Sequence, residues 1–116
     1  MPTIEETLSR LSRSEFRSRF KLTKSEKAYF EAKGNEKIRE HAADFVRTRL
    51  APANPTNDGR QTPMHGHPAF KAMHATACCC RGCLEKWYRV PRGRELTESE
   101  QERIVNLLMA WIEKQI

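Results

Sequence analysis

Nowhere does the chain offer the roughly 18 consecutive apolar residues that a membrane-spanning helix requires, and its mean hydropathy is −0.77. No membrane span is expected. The opening "MPTIEETLSR" carries acids where a secretory signal has a basic start and an apolar run, which makes the cytoplasm the expected compartment. Alternation of apolar and polar residues over strand lengths is missing as well, and so is any internal repeat. A sheet is therefore not expected. Cysteine is scarce, with four residues in the chain, and in a reducing compartment so few thiols do not make a disulfide framework. They read as metal-binding or catalytic first.

What is present suffices for one domain over residues 1–116, with 38% hydrophobic and 31% charged residues. That balance suits a folded chain with a well-solvated surface. The net charge of +6 is unevenly distributed. From Arg10 to Lys27 seven bases face two acids, from Arg81 to Arg94 five face one, and from Glu95 to Ile116 five acids face two bases. Two basic zones on one small domain would attract nucleic acid or another polyanion, and the bland alternative is a basic face that keeps the protein soluble.

Helix signals run the length of the chain. Thr3 with Glu6, Ser12 with Glu15, Thr23 with Glu26 and Thr97 with Glu100 each place a hydroxyl three residues before a carboxylate, the spacing that satisfies the free amides at a helix start. The first two predict short helices. The third opens "KSEKAYFEAK", with Gly34 as a left-handed stop. Ile38, Ala42, Phe45, Val46 and Leu50 then recur at helical steps until Pro52, with His41 beside that apolar face as a packed or surface residue. Pro68 suits a first helical turn, after which Phe70, Met73, His74 and Ala77 share a stripe. Ile104, Leu107, Leu108 and Trp111 mark the last helix, and Trp87 and Trp111 read as core. The expected fold is mainly α, a small irregular bundle of about five or six helices with a Cys/His-rich knuckle.

One long stretch breaks the helical rhythm. Residues 51–67 carry three prolines, two glycines and an Asn-Asp-Gly turn signal, a loop either mobile or held by something. It delivers His65 and His67 to a segment, 65–83, in which all four cysteines fall within six positions. Cys80-Arg-Gly-Cys83 has the two-residue gap that lets two thiolates reach one tetrahedral zinc, and Gly82 would permit a tight turn. The expected ligands are His67, His74, Cys80 and Cys83, with Cys79, His65 and Cys78 as substitutes. At least one of Cys78 and Cys79 is expected to be a small core residue, because adjacent residues diverge. Without a ligand the cluster would be a reduced, buried set of thiols.

Zinc is the expected cofactor, structural by default and holding the loop against the helix that bears His74. An iron–sulfur cluster fits less well because it wants cysteines spread further apart. A metal-dependent enzyme with an open coordination position would need a proton-moving acid, and Glu85 is the only one in the segment; the His-x-Glu of zinc deaminases is missing. A thiol redox pair at Cys80 and Cys83 is the remaining alternative, without the βαβ context of thioredoxin-like chemistry. In the nucleic-acid reading, Arg81, Lys86, Arg89, Arg92 and Arg94 would contact phosphates beside the knuckle.

The segments "TPMHGHPAF", "HATACCCRGCLEKW" and "PRGRELTESE" resemble a family of short bacterial proteins described as a domain of unknown function. The similarity runs from "LSRSEFRSRF" through the last helix, and the cysteine segment is its most specific part. The resemblance implies a stand-alone cytoplasmic protein and brings no activity with it. In that family a histidine often follows the tryptophan, whereas here Tyr88 follows Trp87, which favours the earlier histidines as ligands.

Overall fold

The computed structural model describes residues 3–116. Among them lie six α-helices and no strand: α1 Ile4–Ser12, α2 Lys24–Lys33, α3 Asn35–Phe45, α4 Pro68–Ala75, α5 Arg81–Tyr88 and α6 Glu98–Gln115. The mainly α bundle expected from periodicity is the fold observed. No helix is long and apolar enough to cross a membrane.

The capping signals translate into structure with one exception. Thr3 accepts from the Glu6 amide, and complete reciprocal boxes open α2 at Thr23 and Glu26 and α6 at Thr97 and Glu100. The helix expected after Ser12 does not form. The Ser12 hydroxyl instead donates back to the Ser9 carbonyl at 2.6 Å, and Ser14 accepts from the Arg17 amide at 3.2 Å, opening only a 3-10 turn, Arg17–Arg19. Gly34 separates α2 from α3 at φ 84° and ψ 160°, so the stop is not left-handed helical; it lies in a region that essentially only glycine occupies.

The last and longest helix, α6, runs past α1, α3 and α4 and buries Ile104, Leu108 and Ile112 against them. Helix α3 continues into a wider π turn, Val46–Leu50, which places Val46, Leu50 and Ala51 in the same core. Helix α4 is buried on almost every side, as its small residues Ala69, Ala72 and Ala75 allow. Lys71 is buried with it and pairs with Glu26 at 3.8 Å, so the carboxylate that caps α2 also satisfies the one ammonium of α4.

A tight reversal follows α4. Ala77 adopts φ 60°, and the Cys78 amide reaches back to the Met73 carbonyl at 2.8 Å, a left-handed helix stop built on alanine. This turn presents the three remaining cysteines at the start of α5.

Candidate metal centre

Three thiols converge where the reversal meets α5. Cys79, Cys80 and Cys83 place their Sγ atoms within 4.8 Å of one another. Cys83 lies 3.7 Å from Cys79 and 3.2 Å from Cys80. The Cys-x-x-Cys spacing produces this because Cys80 is the N-cap of α5: its sulfur accepts from the Cys83 amide at 3.4 Å, while Cys83 sits in the first helical turn. Gly82 is not what makes the turn, since its φ is not positive. A β-carbon there would meet the tip of the Arg92 side chain at 2.7 Å, so the small residue accommodates a packed arginine.

Arg17, reaching in from the 3-10 turn, completes the surroundings. Its guanidinium donates to the His74 carbonyl at 2.7 Å, to Cys83 Sγ at 3.2 Å and towards Cys79 Sγ at 3.7 Å. Burial opposes its charge, yet the bonds to the two sulfurs outweigh that and raise its pKa. The consequence for Cys83 is a thiol held at about 5, chiefly by hydrogen bonding from Cys79, then from Cys80 and Arg17. Cys79 is pushed up by its bond to Cys83 and by burial, and Cys80 is raised by burial. Of the three, Cys83 is the one that favours the thiolate, with Cys79 and Cys80 placed to donate to it. The sequence did not single out Arg17, because nothing distinguishes it among the seven bases of its run.

The structure brings together Cys80, Cys83 and the substitute Cys79, and it does not bring the histidines to them. His67 is the N-cap of α4: Nδ1 accepts from the Ala69 amide at 2.9 Å, so in the neutral ring Nε2 carries the proton and faces His41 Nδ1 at 3.0 Å. No lone pair remains for a metal. His74 stacks on Phe20 at 5.6 Å and directs Nε2 to the Thr62 carbonyl at 3.0 Å, which fixes the proton on that nitrogen. His65 is exposed. Cys78 is fully buried, its sulfur 3.6 Å from the Thr76 carbonyl, and burial raises its pKa to about 12. It is a core residue, as expected for one of the adjacent pair.

The Pro/Gly-rich loop is held, but by hydrogen bonds. The Thr62 hydroxyl donates to the Cys79 carbonyl at 2.8 Å, the Thr62 carbonyl takes His74, and Asp58 accepts from the Arg81 amide at 2.9 Å. These bonds dock residues 58–62 on both sides of the knuckle.

Among the five basic residues expected to meet phosphates, Arg81 requires correction. It is 1% exposed, and its guanidinium donates to the carbonyls of Pro52 at 2.9 Å and Pro91 at 2.8 Å, so it cannot reach a ligand. Arg92 pairs with Glu85 at 3.4 Å, and Arg94 makes two bonds of 2.7 Å to Glu100. Lys86 and Arg89 remain exposed. Glu85 is thereby committed to Arg92 at the surface and is not among the groups that gather at the thiols.

His67, apart from the thiols, gives the fold a pH dependence of its own. Burial, reinforced by His41 and opposed by Glu26, lowers its pKa to about 4. The unfolded ring takes a proton near 6.5, so this contribution is complete above that pH and is lost as pH falls towards 4, with a total of about 3 kcal/mol. His67→Asn, which keeps a helix cap, is expected to flatten the change in stability between those pH values. Parallel denaturant titrations of both proteins check it, and identical pH slopes would refute it.

The family model described as "Domain of unknown function (DUF4186)" matches residues 5–113, nearly the whole chain. No solved structure matches it. The chain belongs to that family.

Proposed function

With a family that carries no activity to transfer, the chemistry of the three thiols leads the reading, and we propose that this is a small zinc-binding protein in which Cys79, Cys80 and Cys83 hold the ion. The observation that carries this is the convergence of the three sulfurs within 4.8 Å, one of them already favouring the thiolate. Three thiolates, a dication and the Arg17 guanidinium sum to zero charge, which suits a largely buried position. Thiolate is also the donor that zinc and other soft or borderline ions prefer over calcium or magnesium.

The role is structural. Bound ion would fasten the reversal after α4 to the first turn of α5, and through Arg17 the 3-10 turn would be drawn to the same point. Metal affinity then contributes to folding free energy. A second reading is supported by the 3.2 Å contact between Cys80 and Cys83: a dithiol that exchanges with a small-molecule disulfide, one S–S bond forming between Cys80 and Cys83 as the disulfide's own S–S bond breaks and its two sulfurs leave as thiols with the two electrons and the protons given up.

Elemental analysis of natively purified protein, with thiol titration and thermal unfolding before and after chelation, separates the two. About one zinc per chain and a lower melting temperature after chelation are expected. Metal-free protein whose Cys80 and Cys83 cycle reversibly at a cytosolic glutathione potential would replace the zinc reading with the redox one.

A further inference from the structure

The two basic stretches of the sequence meet in space. A groove of about 1370 Å³ runs between α1, α5 and α6, with Leu84, Trp87, Ile104 and Leu107 among its apolar lining. Around it stand Arg10 from α1, Arg13 at the end of that helix, Lys86 from α5, Arg89 at its end, and Arg103 from α6. Of the groove's acids, Glu5 pairs with Lys114 at 3.3 Å and Glu100 with Arg94 at 2.7 Å, while Glu6 accepts only from the neutral Thr3 hydroxyl at 3.2 Å, a bond that does not offset its charge. None of the five cations is within ion-pairing distance of a carboxylate among the described residues.

The fold has sorted the basic residues of the sequence. Arg17 is drawn to the thiols, Arg81 is buried, and Arg92 and Arg94 are neutralised by acids. Of the bases lining the groove, Arg94 is paired with Glu100, while Arg10, Arg13, Lys86, Arg89 and Arg103 have no carboxylate partner among the described residues. Arg10 stands over Trp87, its guanidinium carbon 4.8 Å from the ring centroid, and donates to the Trp87 carbonyl at 3.0 Å. That contact orients the arginine and leaves its charge uncompensated.

A ligand that uses both features must present negative charges at the rim and flat apolar surface at the floor. Single-stranded nucleic acid does so, with phosphates along one edge and bases free to stack on aromatic or guanidinium planes. A duplex keeps its bases stacked inside, and inorganic phosphate leaves the apolar floor unused. Four of the five cations are arginine, whose forked donors match phosphate oxygens. We propose that the groove between α1, α5 and α6 binds single-stranded nucleic acid, with phosphates on Arg13, Lys86, Arg89 and Arg103 and bases over the Arg10–Trp87 stack. The proposal does not depend on zinc or redox chemistry at the thiols.

The test is fluorescence anisotropy of the full chain, as purified, with labelled single strands of about a dozen nucleotides, the matching duplex, and an acidic amphipathic helical peptide. Binding to the single strand is expected to weaken steeply with salt, starting from about 50 mM. The double reversal K86E/R89E should weaken it by about 10-fold or more and reduce the log–log salt slope by roughly one, since each phosphate contact on a single strand contributes about 0.7. R13E/R103E, on the other walls, should do the same, which covers the event that one variant misfolds. K24E/K27E on α2 makes an equal charge change away from the groove and should stay within about 3-fold. Failure to bind single strands, duplex bound as tightly, equal loss in K24E/K27E, or preference for the acidic peptide would each overturn the proposal.

Discussion

Replacing Cys83 with serine is expected to lower zinc affinity by roughly 10³-fold. Apparent binding free energies of structural zinc sites, about 10–16 kcal/mol, shared over three or four ligands give about 4 kcal/mol for each, or three decades in Kd. Cys83 is the choice because it contacts both other sulfurs and receives Arg17, so its loss removes the thiolate around which the others are arranged. Cys78→Ala is the matched control: that thiol faces the Thr76 carbonyl, and its removal should leave zinc affinity unchanged at a modest cost in packing. Arg17→Met keeps all three sulfurs and removes only the donor to them, for which about 10- to 100-fold is expected. Competition against a chromophoric chelator measures all three. Equal affinities for the Cys83→Ser and Cys78→Ala proteins would end the three-thiol assignment.

What the sequence made legible was local. Hydroxyl–carboxylate spacing located the starts of α1, α2 and α6, because a capping box is decided by four consecutive residues. Pro68 located the start of α4 for the same reason. The false helix after Ser12 shows the limit: the hydroxyl had a competing acceptor one turn back, in the helix that was already there.

Which side chains gather at the thiols was not legible from proximity along the chain. His67 and His74 are near the cysteines along the chain, but one nitrogen of each ring is taken by a backbone group, the Ala69 amide in one case and the Thr62 carbonyl in the other. Those partners lie on a loop and a helix start whose packing no periodicity reveals. Arg17 is the converse case. It reaches the thiols across more than sixty residues of sequence, at a separation where only the tertiary fold makes the connection.

Arg81→Met should be among the most destabilising substitutions in the chain, costing about 3–5 kcal/mol with zinc saturating. Charge counting put this residue on a phosphate-binding surface, yet it is the largest fully buried side chain. Its guanidinium bridges the carbonyl of Pro52, just past the π turn that continues α3, and that of Pro91, on the segment leading to α6, with the Leu50 and Ala51 carbonyls at 3.4 and 3.5 Å. Burial lowers its pKa, with Arg94 adding to this and Asp58 and Glu100 opposing it. The carbonyls at the negative end of α3 are what keep the cation tolerable there. Methionine fills part of the volume and supplies no donor, so the short bonds to Pro52 and Pro91 are lost, and with them the longer contact to the buried Leu50 carbonyl. Ala51 suffers less because its carbonyl also accepts from the Leu96 amide at 2.9 Å. Arg81→Lys should recover only part of the loss, since one ammonium cannot span acceptors on opposite sides of a planar fork. A stability loss of this size lowers the melting temperature by on the order of 15 °C. Denaturant unfolding of both variants measures it, and a loss below about 0.5 kcal/mol for Arg81→Met would show that these carbonyls find other donors and that Arg81 does not clasp α3 to the approach to α6.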